Sequence, residues 1–228
     1  MAKVKYGGGI QDIRGSIAGQ THSRNTFGNY VRQKVSPVQP RSDRQLEARK
    51  VFTGLSRRYS SVLSDDQQEA WRQAAASATV RDVFGDSITL TGINLYCRLN
   101  GVRSWLGLSP LDDPPPIEEV EGLESLSLSW DPTQNALNLA WTPSPVPTDR
   151  FLLVWATEPV NPGVAFVAHK LRLLAVLGPG ETSPYDIIGF YTERFGPPVA
   201  GKAVYVAAEL VSSSGWKGPR SLAKTRIQ

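Results

Sequence analysis

The stretch LSLSW at residues 126–130, followed by ALNLAW at 136–141, alternates apolar and polar residues. In an extended chain Leu137, Leu139 and Trp141 then fall on one face, because successive side chains of a strand point to opposite sides. A period of two predicts β-strands that each bury one face. The C-terminal half of this chain is therefore expected to be built from sheets.

More strands are expected downstream, separated by turns rich in proline and glycine. They are FLLVWAT (151–157), parts of VAFVAHKLRLLAVL (164–177), KAVYVAAELVS (202–212) and SLAKTRI (221–227). Several short strands at near-regular spacing predict an antiparallel β-sandwich over residues 126–228. The segment SPYDIIGFYTERFG (183–196) breaks the pattern and is expected to form a short helix at the sandwich edge.

Upstream of these strands the period changes to that of helices, which predicts a small helical module over residues 42–107. Ser42 with Gln45 and Ser64 with Gln67 both have the spacing of a capping box, so two helices meet in a hairpin near Leu63. A third helix is predicted over INLYCRLNGVRSWLG (93–107), after a short strand or turn at 85–92.

Two further segments are expected to lack a core of their own. A linker is predicted over residues 108–125, LSPLDDPPPIEEVEGLES. Three prolines favour an extended chain there, and the acidic residues keep the segment solvated. An extended arm is predicted over residues 1–41, because this segment is rich in glycine, is bounded by prolines and has no helical period. The fold class expected for the whole chain is thus α+β and multidomain.

Charge is distributed in blocks along the 228 residues. Residues 1–60 carry twelve Lys and Arg against three acids, a net of +9; residues 61–150 carry five against thirteen, a net of −8; the rest carries eight against five, a net of +3. The basic N-terminal segment is therefore expected to contact an acidic partner, which could be nucleic acid, an acidic protein surface or another copy of the chain. We predict these interface residues: Arg14, Arg24, Phe27, Tyr30, Val31, Arg32, Lys34 and, in a turn of the sandwich, Trp216.

No arrangement of residues indicates catalysis, a cofactor or a metal. His22 and His169 have no Cys or His at ligand spacing, and Cys97 has no histidine nearby in sequence. The first residues lack the apolar run of a signal peptide, and LRLLAVLG (171–178) is too short to cross a bilayer. We expect a soluble, non-enzymatic protein made in the cytoplasm, with no membrane partner.

The C-terminal half resembles a fibronectin type III module. The resemblance rests on a strand ending in Trp141 and on VYVAAELVSSSGWKGPRS (204–221), a Tyr-containing strand that leads into a Gly-x-x-Gly-Pro-x-Ser turn. The region 164–200 is longer than that family's pattern allows.

The whole chain also resembles a group of phage and prophage-like proteins regarded as virion components. The shared order is GNYVRQKVSPVQP, RSDRQLEARKVFTGLS with Gln45 and Arg49, LSDDQQEAWRQAA and LTGINLYCRLN. The resemblance implies a virion location and a structural role, as a capsid cement or decoration protein or as a tail or head–tail connector component. Implied partners are copies of the chain, with a trimer favoured, and a major capsid protein. Two alternatives stay open: a nucleic-acid-binding protein that uses the basic arm, and a carbohydrate-active enzyme.

Overall fold

The computed structural model describes residues 2–5, 7–9, 12–25, 28–36, 41–78, 80–81 and 86–228. Helices and antiparallel sheets both occur, so the α+β class is confirmed at that level. The helices are α1 Asp43–Ser61, α2 Asp65–Ser77, α3 Gly92–Trp105 and α4 Ile188–Phe195. The strands are β1 Ala2–Lys3, β2 Gly15–Ile17, β3 Gln20–Asn25, β4 Gly28–Gln33, β5 Val80–Arg81, β6 Ser87–Ile88, β7 Ser125–Asp131, β8 Ala136–Thr142, β9 Arg150–Ala156, β10 Arg172–Leu177, β11 Tyr185–Asp186, β12 Ala203–Ser212 and β13 Ser221–Arg226.

The C-terminal strands form two antiparallel sheets that share one core, here called the two-sheet unit (residues 120–228). One sheet has the order β10-β9-β12-β13 and the other β11-β8-β7. Leu137, Leu139 and Trp141 all lie in the shared core, as the alternation predicts. All ten residues of β12 are buried, because the second face of its sheet is covered as well. The predicted short helix is α4, whose Tyr191 belongs to the same core.

The three N-terminal helices enclose a second, smaller core, here called the helical unit (residues 43–105). Trp71 of α2 meets Tyr96 of α3 edge to face, with ring centroids 5.2 Å apart, and both side chains are fully buried. The capping box predicted at Ser64 is confirmed. The one predicted at Ser42 is wrong: its side chain makes no cap hydrogen bond, and α1 begins without it.

Helix α3 packs on the second face of the four-stranded sheet and so joins the two units. Val102 clusters with Leu153 and Val211. Arg103 donates hydrogen bonds to the carbonyl oxygens of Ser109 and Ser213. Helix α3 therefore contributes buried side chains to two clusters, one in the helical unit and one against the sheet.

The predicted linker contacts both units. The indole Nε1 of Trp71 donates to the carbonyl oxygen of Asp112 at 2.7 Å, and that of Trp216 donates to the carbonyl oxygen of Pro116 at 3.0 Å. Val120 and Leu123 are buried in the core of the two-sheet unit. The expectation that this segment is solvated is therefore wrong at these residues, because its carbonyls and apolar side chains have partners in both units.

The N-terminal residues form a sheet of their own, with the order β1-β4-β3-β2, rather than one extended arm. Ala18 and Gly19 have φ values of 48° and 77°, which closes a tight turn between β2 and β3. Residues with positive φ thus reverse the chain here, and neighbouring segments satisfy each other's backbone hydrogen bonds. The prediction of one extended arm over residues 1–41 is therefore wrong for the described residues, which pair with one another as strands.

Candidate interaction surface

The first 54 residues contribute no buried side chain to either core among those that the structure describes. They include the N-terminal sheet (β1 to β4) and more than two turns of α1, from Asp43 to Gly54. The buried side chains of α1 begin only at Leu55. A four-stranded sheet with no buried side chain is unusual, since burial of apolar surface normally stabilises sheets. This part of the chain is the strongest candidate for contact with another molecule.

Strand register sorts the side chains of the N-terminal sheet onto two faces. Tyr30 stands opposite Lys3 on β1 and Ser23 on β3, and Arg32 stands opposite Thr21. Residues opposite each other across strands share a face, as do alternate residues along a strand. We call the face that holds Lys3, Ser23, Thr21, Tyr30, Arg32 and Lys34 the basic face; Lys34 extends it because its N–H continues the ladder to the carbonyl of Gly19 at 2.8 Å.

The opposite face carries the branched aliphatic residues. Val31 stands opposite Ala2 and His22, and Ile17 stands opposite Gln20. Arg24 also lies on this face, since it is two residues from His22. The sheet is therefore amphipathic in its residue content, with one aromatic ring and several cations on the basic face.

The predicted interface residues are only partly brought together. Tyr30, Arg32 and Lys34 share the basic face, whereas Val31 and Arg24 lie on the other. Sequence reasoning missed Lys3, which joins the basic face through the pairing of β1 with β4. That pairing links residues nearly thirty positions apart, so no local pattern signals it.

The remaining predicted residues lie elsewhere. Arg14 pairs with Asp12 at 2.9 Å, outside the strands. Phe27 lies outside the described residues. Trp216 packs against the cores of both units of its own chain, so we leave it out of the intermolecular surface.

An apolar groove runs between α1 and α3 and reaches β10. It has a volume of about 680 Å³, and its lining includes Phe52, Trp105 and Leu173. Phe52 is 62% exposed and Trp105 is 44% exposed. Arg44, Arg194 and Glu47 also line the groove.

Several exposed carboxylates lie on the segment that links the two units. We call this group the acidic strip and define it as Asp113, Glu119, Glu121 and Glu124, all exposed. Within it, Ile117 is 54% exposed. Asp113 accepts a hydrogen bond from the side chain of Gln67 at 3.1 Å. Two neighbouring acids form ion pairs: Asp112 accepts two hydrogen bonds from Arg58, both at 2.8 Å, and Glu118 pairs with Arg150 at 2.6 Å.

The ion pairs of two carboxylates, Asp112 and Glu209, determine the direction in which their pKa values shift. The hydrogen bond and charge of Arg58 hold the pKa of Asp112 below its usual value. Burial alone would raise the pKa of Glu209, but Arg220 and Lys217 outweigh burial and the pKa is lowered. The guanidinium of Arg220 also stacks over Trp155, 4.6 Å from the ring centroid. These carboxylates therefore hold the fold together as anions.

The thiol of Cys97, a candidate reactive group in the sequence, is free and partly buried. Burial raises the pKa of the Cys97 thiol, which disfavours the nucleophilic thiolate. Over the described residues, no group of three or more His, Cys, Asp or Glu could hold a metal ion. No helix there is both long and apolar enough to cross a membrane.

Comparison with known proteins adds little to this description. No protein-family model matches the chain, and no curated protein matches it. One solved structure is similar, described as a crystal structure of a Fn3-like protein from Clostridium thermocellum. It is 17% identical, covers 49% of this chain and 96% of its own, and has a TM-score of 0.32. A similarity at that TM-score carries no argument about fold or function.

Proposed function

We propose that this chain is a non-enzymatic structural protein that assembles into a larger particle through its N-terminal segment. The observation that carries the proposal is the absence of any buried side chain among the described residues up to Gly54. A sheet without a buried face, and the first turns of a helix whose buried side chains begin at Leu55, gain stability when a partner covers them.

Charge supports the same reading. Residues 1–41 carry seven Lys and Arg against one Asp, a net of +6. A segment with this charge is attracted to an acidic surface. Its positive charge gives it no attraction to an apolar surface. We propose that the segment contacts neighbouring subunits.

The particle that we propose is a phage virion, and the role is that of a capsid cement or decoration protein. Support comes from the resemblance of the chain to phage and prophage-like virion components. A tail or head–tail connector component would use the same parts and is the second candidate. The partners would be copies of the chain, with a trimer favoured, and a major capsid protein.

We further propose that the C-terminal half is a β-sandwich domain of the fibronectin type III kind. Seven strands in sheets of four and three, all antiparallel, fit that architecture. The helical unit would then be a separate domain docked on it through α3.

The experiment compares the full-length chain with a version that begins at Ser42, by solution mass and limited proteolysis. Because residues 1–41 add no described side chain to either core, the shortened chain should keep the cooperative unfolding of the two units and lose only the circular dichroism signal of β1 to β4. We expect the full-length chain to form a discrete oligomer with a protected N-terminal segment, and the shortened chain to be monomeric.

Purified phage particles that lack the protein provide the second test. If the full-length chain is monomeric, it should still bind such particles and the shortened chain should not. A full-length chain that neither associates nor binds particles would contradict the proposal.

A further inference from the structure

We infer that the basic face of one copy docks on the acidic strip of a neighbouring copy. The inference rests on the proposed function and names the acceptor for the N-terminal segment. It would make the contact head to tail, between two different surfaces, so that repetition of the contact closes a ring if the rotation permits.

The donor surface is cationic around one aromatic ring. Lys3, Arg32 and Lys34 share the basic face with Tyr30, as the strand register requires. The described residues on this face are otherwise small, with hydroxyl groups from Thr21 and Ser23. No carboxylate lies on it within the described strands β1 to β4.

The acceptor surface has the opposite charge and also includes an apolar side chain. Glu119, Glu121 and Asp113 are exposed, and Ile117 is an exposed apolar residue between them in sequence. A ring flanked by cations and an apolar side chain flanked by carboxylates are complementary in charge and in apolar contact.

Spacing matches as well. Glu119 and Glu121 flank the buried Val120 and so both project from the core. Arg32 and Lys34 are also two residues apart on one side of a strand. Alternate residues of a strand lie about 6.6 Å apart, which is the spacing expected for Arg32 and Lys34, so each cation can meet a separate carboxylate.

The acidic strip is held in place before any partner arrives. The segment that carries it accepts the indole hydrogen bonds of Trp71 and Trp216 at Asp112 and Pro116. Val120 and Leu123 of the same segment are buried in the core. A fixed surface loses less conformational entropy on binding than a flexible one, which favours association.

The four side chains of the two inferred ion pairs are not already paired with one another's kind of charge in the part of the chain that the structure describes. Neither Arg32 nor Lys34 forms an ion pair within the residues that the structure describes, and neither do Glu119 and Glu121. One ion pair that links the N-terminal segment to the rest of the chain, Lys5 with Asp86 at 2.6 Å, uses an acid outside the acidic strip.

Charge reversal of the full-length chain tests the contact. The base-reversed variant is Arg32→Glu with Lys34→Glu, and the acid-reversed variant is Glu119→Lys with Glu121→Lys. The matched control is Lys224→Glu with Arg226→Glu, because these exposed residues are also two apart, on β13. Circular dichroism confirms that each variant is folded.

Association is measured by sedimentation from about 0.01 M to about 1 M salt, where the screening length falls from about 30 Å to about 3 Å. Exposed ion pairs contribute up to about fivefold each in affinity. We expect each reversed variant alone to associate at least about tenfold more weakly than the wild type at low salt. We expect a mixture of the two variants to associate again, and the control to match the wild type.

The failures can be told apart. If the wild type assembles and the reversed variants assemble equally well, the inferred contact is wrong while assembly stands. If the wild type is monomeric but binds phage particles, assembly onto a partner stands and this contact between copies is overturned. If it instead binds a single-stranded oligothymidylate through Arg32 and Lys34, with affinity that falls steeply with salt, the basic face serves nucleic acid and the inference is overturned.

Discussion

Replacing Gly215 with alanine should loosen the junction between the helical unit and the two-sheet unit. Gly215 has φ +95°, and a Cβ built there would lie 2.5 Å from the carbonyl oxygen of Leu99 on α3. An ordinary contact begins near 3.4 Å, so helix and turn would have to separate by nearly an ångström. Both sides are backbone, so the clash cannot be relieved by turning a side chain.

Gly180 supplies the matched control. It has a similar φ of +84°, but a Cβ there would meet nothing within 4 Å. Alanine at either position carries the strain of a left-handed backbone, about 1–2 kcal/mol. Alanine at 215 adds the penalty of overpacking, about 1–3 kcal/mol, so we expect a total of about 2–5 kcal/mol.

The assay is denaturant unfolding followed by circular dichroism, together with a thermal melt. A loss of 1 kcal/mol lowers the midpoint by about 2–4 °C in a chain of this length, so a loss of about 3 kcal/mol at Gly215 should lower it by about 6–12 °C. Equal destabilisation by Gly215→Ala and Gly180→Ala would refute the reasoning, because the close approach of α3 to the sheet would then be absent in solution.

Three further predictions concern a helix cap, a buried carboxylate and the exposed face of α1. Ser64→Ala should lower the free energy of unfolding by about 1 kcal/mol because it removes a capping box, whereas Ser42→Ala should cost much less because that side chain makes no cap bond; urea titration compares them. The pKa of Glu209 is lowered from 4.5, so its contribution is present above about that pH and is lost as the pH falls through the lower folded value. Glu209→Gln should therefore flatten the acid limb of the stability curve measured by unfolding at a series of pH values, and an unchanged acid limb would contradict the lowered pKa. Phe52→Ser should change the free energy of unfolding by less than about 0.5 kcal/mol while it weakens any association through the groove, and a loss of several kcal/mol would mean that Phe52 is buried.

Patterns close in sequence predicted much of the secondary structure. The alternation at 126–141 predicted β7 and β8, and Ser64 with Gln67 predicted the start of α2. These signals are local because strand period and helix capping depend on residues within four positions of one another. The same local reasoning failed at Ser42, where the cap spacing is present and the bond is not.

The N-terminal sheet shows why the candidate site could be predicted only in part. The sequence indicated a basic, glycine-rich segment that seeks an acidic partner, and it picked out Tyr30, Arg32 and Lys34. It did not indicate that these residues share a face while Val31 and Arg24 take the other. Which side chains stand together depends on strand register, and a shift of one residue would exchange the two faces.

The sequence by itself determined the charge blocks, the helical and strand periods and the absence of recognisable catalytic motifs, since these depend on composition and near neighbours. Only the tertiary structure decided that α3 serves two cores, that Trp216 is engaged by its own chain and that Glu119 and Glu121 project from a segment anchored at Val120. Each of these depends on contacts between residues far apart in the chain. Such contacts form when apolar surfaces of whole elements pack together, and their geometry is not encoded in any short stretch.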